Sequence, residues 1–307
     1  MGEPALSTNE IQATDRMSTG LPRLDQALGG GLLPGTLTVV VGATGIGKTQ
    51  MGIHLAHQGI SEEGRSGVIV DVSSRGDSQN HLGYAKRMVD WSWEPSDVEV
   101  TADTTFFDEI KNLPAYMQVF GYTGQRVTRR DMEAENWDHW QRELNRKLRD
   151  TIGFLYGSFL AGSRRLIVDG IEPADSPGDS IQFHLFEYLY HQVVRKDPDW
   201  VARDLFRENF RQNQATIEQH QYDRDRLGCI ALCTSHEVML DDLIGKPLDE
   251  GDILSNANTL IYMGKTREGN RMGRGLLVAK HRGSACEEEI IPYRIQDSGL
   301  VFEESVA

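Results

Sequence analysis

Thr36-Leu37-Thr38-Val39-Val40-Val41-Gly42-Ala43-Thr44-Gly45-Ile46-Gly47-Lys48-Thr49 decides the reading of this chain of 307 residues. The β-branched run from Thr36 to Val41 predicts a short buried strand. Gly42 to Thr49 fits G-x-x-x-x-G-K-[ST] at every fixed position. Beyond it, Met51, Ile53, Leu55, Ala56 and Ile60 carry a helical spacing. Glycines in such a strand-to-helix turn let backbone N–H groups point inward at an anion. The helix that follows adds the positive end of its dipole. Strand, glycine loop and helix together predict a phosphate cradle made of Gly42, Thr44, Gly45, Ile46 and Gly47. Lys48, Thr49 and Gln50 open the helix beside it.

Working outward, Val68–Val72 predicts a second buried strand and Asn80–Trp91 a second helix. Leu166–Val168 predicts a third strand, ending in Asp169. Cys229–Cys233 predicts a fourth. Thr259–Met263, Gly275–Ala279 and Ile290–Ile295 read as further strands in succession. Strands alternating with helices, then strands alone, give an α/β core. Its central sheet is expected to be mostly parallel and flanked by helices, with antiparallel strands at the C-terminal edge. Residues 1–17 read as a flexible lead, and 18–307 as one domain with insertions at about 94–150 and 190–227. Residues 94–109 hold six acids and no base, which predicts a solvated, partly extended segment. From Asp131, Trp137, Trp140, Leu144, Leu148, Ile152, Leu155 and Phe159 recur every three or four positions, a long amphipathic helix. Thr128 with Asp131 resembles a capping box, and Glu143 with Lys147 is a supportive pair. Ser176–Asp179 reads as a loop and Ile181–Arg195 as a helix. Asp197-Pro198 starts another helix running towards Arg226.

Composition narrows the function classes. A formal charge of −14 argues against broad coating of nucleic acid. Hydrophobic residues make up 39% and charged residues 25%, which excludes a largely disordered chain. The sequence holds no apolar run of the length that spans a bilayer, and its first residues lack the basic and apolar regions of a secretory signal. Three cysteines without a C-x-x-C pair fit a reducing compartment. The expected location is cytoplasmic. Cys229 and Cys233 read as small core residues.

The phosphate loop assigns roles to its neighbours. Lys48 is placed to reach the β- and γ-phosphates of a nucleotide, and the Thr49 hydroxyl to ligate Mg²⁺. Asp169 at the end of its strand is the natural Walker B acid, holding metal-bound water. The alternative is a strand-end Asp that caps the next turn. Lys48 and Asp169 are therefore candidate catalytic residues, and Thr49 and Asp169 the candidate metal site.

Two further runs resemble a family. Thr19-Gly20-Leu21-Pro22, Leu24-Asp25, Leu28-Gly29-Gly30-Gly31 and Gly35 look like the entry to KaiC-like ATPases of the RecA superfamily. Val278-Ala279-Lys280-His281-Arg282-Gly283-Ser284 looks like that family's V-x-K-x-R-G-S segment, and Ile290–Leu300 resembles its final strands. The resemblance implies a RecA-like P-loop core, ATP and Mg²⁺ as cofactors, and a homo-oligomer, commonly a hexameric ring with its site between subunits. It implies that Lys280 and Arg282 reach the neighbour's γ-phosphate, where cations stabilise developing charge. A basic pair on an exposed edge strand is the other reading. Thr234, in Thr234-Ser235-His236-Glu237, matches the family's sensor position and would touch a γ-phosphate or lytic water. A strand-end polar cluster reads equally well.

The chain also departs from the family. KaiC-like domains carry a pair of glutamates after the second strand, one of which activates water. Here that stretch is Val70-Asp71-Val72-Ser73-Ser74-Arg75. Serine is no general base at neutral pH without its own activator. Asp71, Asp77, Glu172 and Glu237 are the possible substitutes, and slow or impaired hydrolysis is expected. On the second insertion, Arg203, Arg207 and Arg211 lie four apart, which predicts one basic helical face for an acidic protein partner or a merely solvated face. Lys265–Arg274 reads as a hairpin with four bases and one acid. It could touch phosphate, although no aromatic residues interleave to stack bases. The leading function is an ATP-dependent switch or assembly factor. The alternative is a non-catalytic nucleotide-binding scaffold, and a DNA-binding recombinase fits the charge poorly.

Overall fold

The computed structural model describes residues 16–73, 80–93, 105–120, 133–172, 180–246 and 256–303. In chain order its elements are α1 (Pro22–Ala27), β1 (Leu37–Gly42), α2 (Lys48–Glu63), β2 (Val68–Asp71), α3 (His81–Val89) and α4 (Phe106–Glu109). There follow β3 (Tyr116–Gln118), α5 (Ala134–Leu160), β4 (Arg165–Ile171), α6 (Ile181–Leu189), α7 (Pro198–Phe206), α8 (Phe210–Gln219) and β5 (Gly228–Thr234). The last are α9 (Leu240–Gly245), β6 (Thr259–Glu268), β7 (Arg271–His281), β8 (Ile291–Gln296) and β9 (Gly299–Phe302).

Among the described residues the strands form one nine-stranded sheet in the order β3-β2-β4-β5-β1-β6-β7-β8-β9. From β3 to β6 the neighbours are parallel, and from β6 to β9 antiparallel. Every residue of β1, β2 and β4 is buried, as expected for parallel strands covered on both faces. Alternate side chains serve different cores. Val39, Val41, Val70 and Val168 join Phe154, Leu155, Phe186 and Phe206 under α5, α6 and α7. Val40, Ile69 and Ile167 join Leu24, Met51, Ile53 and Tyr293 under α1, α2 and the C-terminal strands.

Local chemistry sets several helix ends. The Asn80 side chain accepts the Gly83 N–H at 2.7 Å and starts α3, and Ser180 does the same for α6 with the Phe183 N–H. Pro198 opens α7. α2 ends on Gly64 at φ 74°, the left-handed residue favoured after a helix.

Three sequence expectations change. First, within 94–109 only 105–109 is described, and it is helical with Phe106 and Phe107 buried. Acid count missed it because two adjacent aromatics outweigh two exposed carboxylates. Phe106 meets Tyr156, and Phe107 stacks on Phe206 at 5.5 Å. Secondly, the chain after Pro198 is two helices rather than one. Arg207 takes φ 47°, so α8 folds back onto α7. Arg203, Arg207 and Arg211 therefore share no helical face. Arg203 instead lies over the Phe210 ring at 4.9 Å. Thirdly, Met17 is docked, exchanging both backbone hydrogen bonds with Leu32 at 2.9 Å. The α5 capping pair Thr128 and Asp131, and the Trp140 and Glu143 side chains, lie outside the described residues. β3 was not foreseen. No helix among the described residues is long and apolar enough to cross a membrane.

Candidate phosphate-binding site

The loop after β1 has the geometry its glycines predicted. Gly45 and Gly47 sit at φ 75° and 110°, a region that costs other residues free energy. A Cβ on Gly45 would meet nothing within 4 Å, so the loop's outer side is open. A Cβ on Gly42 would come 2.3 Å from the Met263 carbonyl oxygen. Only glycine fits between β1 and β6 there. Thr44 and Gly45 are exposed, while Ile46 and Gln50 are buried. The Gln50 side-chain oxygen is buried with no hydrogen-bond partner.

Lys48 is 6% exposed and bends back onto its own loop, donating to the Gly42 and Ala43 carbonyls at 2.7 and 3.0 Å. Burial pushes its pKa down to about 8, against the pull of Asp169. An ammonium held in so dry a place, over a loop open on its other side, suits an incoming anion.

Sheet register brings the acids alongside. Asp71 on β2 pairs with Asp169 on β4, and Gly42 on β1 with Thr234 on β5. All four stand at the C-terminal ends of parallel strands, where open α/β sheets bind ligands. The Thr49 hydroxyl donates to Asp169 Oδ2 at 2.7 Å. Asp169 Oδ1 accepts the Gly170 N–H at 2.7 Å. Asp169 is thus aimed at the loop, and it does more than cap its own turn. Thr234 is half-buried beside the loop, and the next residue's N–H donates to the Gly42 carbonyl at 3.0 Å.

Sequence reasoning missed three residues here. His81, 3% exposed, reaches Asp169 Oδ2 with Nε2 at 2.9 Å. Burial works against a charge on this ring, but the hydrogen bond to Asp169 and the charges of Asp169 and Asp71 outweigh it, so its pKa rises. Burial likewise opposes charge on Asp169, yet His81, Thr49 and Lys48 together hold its pKa below the ordinary carboxylate value. Tyr116 on β3 donates to Asp71 Oδ2 at 2.9 Å. Tyr293 on β8 donates to the Ile46 carbonyl at 2.7 Å and ties the C-terminal strands to the loop. The only signal for these was a polar residue inside an apolar pattern, and no local spacing points to its partner.

The substitute bases fare unevenly. Asp71 is fully buried and accepts from the Ser73 N–H, the Ser73 hydroxyl and Tyr116. Glu237 is held by the Ser235 hydroxyl and by Lys246 at 2.9 Å, which lower its pKa to about 2. Glu172 is half-buried just past β4. Ser74 and Asp77 lie outside the described residues.

Lys280 and Arg282 are elsewhere. Leu276 of β7 faces Met263 of β6, which faces Gly42, whereas His281 faces Thr259, which faces Thr38. The pair therefore stands at the far end of the sheet, roughly 13 Å along the strands from its own loop. Mutual repulsion and burial lower the Lys280 pKa, burial first. The basic hairpin forms, with Lys265 opposite Arg274 and Glu268 opposite Arg271.

Residues 17–112 match the family described as the KaiC ATPase. The fold resembles a KaiC-like protein from Pyrococcus horikoshii OT3, with TM-score 0.51 over 94% of this chain and 99% of that one. The KaiC family match takes in β1, the phosphate loop and α2, and spans under a third of the chain. At 17% identity the Pyrococcus likeness is one of fold. A stretch of 57 residues of this P-loop protein is 35% identical to the DNA repair protein RadA in two Mycobacterium tuberculosis strains. That stretch spans 19% of this chain and 12% of RadA.

Proposed function

We propose that this P-loop protein binds ATP with Mg²⁺ and works as a nucleotide-dependent switch or assembly factor with slow turnover. The observation that carries the reading is the half-buried Thr49–Asp169 hydrogen bond beside a desolvated Lys48. Lys48 would leave the Gly42 and Ala43 carbonyls for the β- and γ-phosphates. Backbone N–H groups from Thr44 to Thr49 would hold the phosphate oxygens. Thr49 would ligate the ion through its hydroxyl oxygen, and Asp169 would hold ion-bound water. Mg²⁺, when bound, neutralises charge building on the phosphates. Among the described residues no three His, Cys, Asp or Glu side chains cluster as a metal cage. An ion held by one hydroxyl, waters and phosphates needs none.

Slow turnover follows from the general bases. After β2 the chain offers Ser73, whose hydroxyl is spent on Asp71. Glu237, with its pKa near 2, is a weak base. Lys280 and Arg282 stand at the far end of the strands from their own loop, so any action on a γ-phosphate would come from a neighbouring subunit. That favours a homo-oligomer, with a ring as the proposed form.

Phosphate release from Mg-ATP, with Lys48→Ala as the blank, tests this reading. A slow rate above the blank is expected. Bound ATP with no release would leave a nucleotide-locked scaffold, and absence of binding would refute the reading.

A further inference from the structure

His81 has no role in the motifs, yet its imidazole sits against the acid that a metal-bound water needs. Asp169 Oδ2 already accepts the Thr49 hydroxyl at 2.7 Å and His81 Nε2 at 2.9 Å. A carboxylate oxygen offers about two acceptor positions, so both are taken on the side that faces Thr49. Oδ1 points the other way, to the Gly170 N–H. The Thr49 hydroxyl can keep donating to Asp169 while its oxygen ligates an ion. The contact that must give way to a metal-bound water is therefore the one from His81.

The ring has somewhere to go. Its Nδ1 is buried and makes no hydrogen bond. Asp71 Oδ2 stands 3.6 Å from it, just beyond hydrogen-bond reach. A small rotation releases Asp169 and brings Nδ1, when it carries a proton, within donating reach of Asp71. The ring also touches a chain of aromatics that runs to the surface. It lies 5.2 Å from Tyr116, which stacks near Trp93 at 6.1 Å, which meets the half-exposed Trp91 at 4.2 Å.

Resting on the nucleotide-binding reading, we propose that His81 is a positioning residue that latches Asp169 in the nucleotide-free protein. Loading of the magnesium-bearing nucleotide moves its imidazole from Asp169 to Asp71. α3, which carries His81, and the Trp91–Trp93–Tyr116 stack then feel whether the ion is present.

The test uses the full chain, ATP, and Mg²⁺ or EDTA. In the wild-type protein the imidazole nitrogen resonance of His81, assigned by its loss in His81→Gln, is expected to shift with Mg-ATP and to stay with ATP in EDTA. Identical positions in the two samples would overturn the latch. Calorimetric ATP affinities with and without Mg²⁺ give a second readout. In His81→Ala their ratio is expected to rise about tenfold, the worth of one charge-assisted hydrogen bond. His81→Gln, whose amide N–H also reaches a carboxylate, is expected to bring the ratio back. An equal ratio in all three proteins would overturn the latch, since a merely structural role shifts both affinities together. A wild-type protein that binds ATP under neither condition would overturn the nucleotide reading itself, and the latch with it.

Discussion

At the N-terminal end of β4, Arg165 is buried and spreads its guanidinium over four partners: Glu62, Glu63 at 2.9 Å, and the Ser18 and Leu55 carbonyls at 2.5 and 3.2 Å. At the C-terminal ends of β1 and β4, Lys48 is also buried but bonds only its own loop's carbonyls, and His81 keeps a nitrogen without a partner. Both ends bury a cation. One cation is matched by carboxylates on α2, so the cost of taking charge out of water is offset within the fold. The other donates to two carbonyls and to no carboxylate, with Asp169 acting on it only at a distance, and an anion from outside would complete it. Buried charge that is matched holds the structure, and buried charge that is unmatched waits for a ligand.

The difference can be broken experimentally, and the largest effect belongs to the matched end. Arg165→Ala leaves Glu63 buried without its cation and is expected to cost about 3–5 kcal/mol in urea unfolding. Lys48→Ala should do the opposite. Its unfolding free energy near neutral pH is expected within about 1 kcal/mol of wild type, while ATP affinity measured by titration falls at least about a hundredfold.

A third expectation concerns protons. With its pKa at about 8 in the fold and an ordinary value of 10.5, Lys48 binds fewer protons folded than unfolded between those values. The nucleotide-free protein is therefore expected to gain stability as pH rises from about 8 towards 10.5. Phosphate oxygens at Lys48 restore the charge, so ATP binding in that window should take up a proton. Calorimetry in two buffers of different ionisation enthalpy reads it, and Lys48→Ala should abolish the uptake. The smallest effect is at Tyr293. Tyr293→Phe removes the bond to the Ile46 carbonyl and should cost about 1 kcal/mol, with a modest loss of ATP affinity as the loop loosens.

Much of this contrast was legible in the sequence, and its reasons were local. The phosphate loop is contiguous, its glycines are fixed by the turn, and β1, β2, β4 and β5 show as apolar runs because both sheet faces are covered. Asp169 was readable as the polar end of such a run. Arg165, His81, Tyr116 and Tyr293 were not, because each finds its partner on another element, at a separation no spacing rule covers. The break at Arg207 was hidden for another reason. No glycine or proline marks it, and only the packing of α8 on α7 imposes it.

Everything proposed here turns on whether the unmatched Lys48 end is a nucleotide site or a second structural bridge. ATP titration of the wild-type protein and Lys48→Ala, each followed by urea unfolding without nucleotide, tests it most directly. Expected are wild-type binding, at least about a hundredfold weaker binding in the variant, and no loss of unfolding free energy beyond about 1 kcal/mol. Equal ATP affinity in the two proteins, or a variant as unstable as Arg165→Ala, would contradict it.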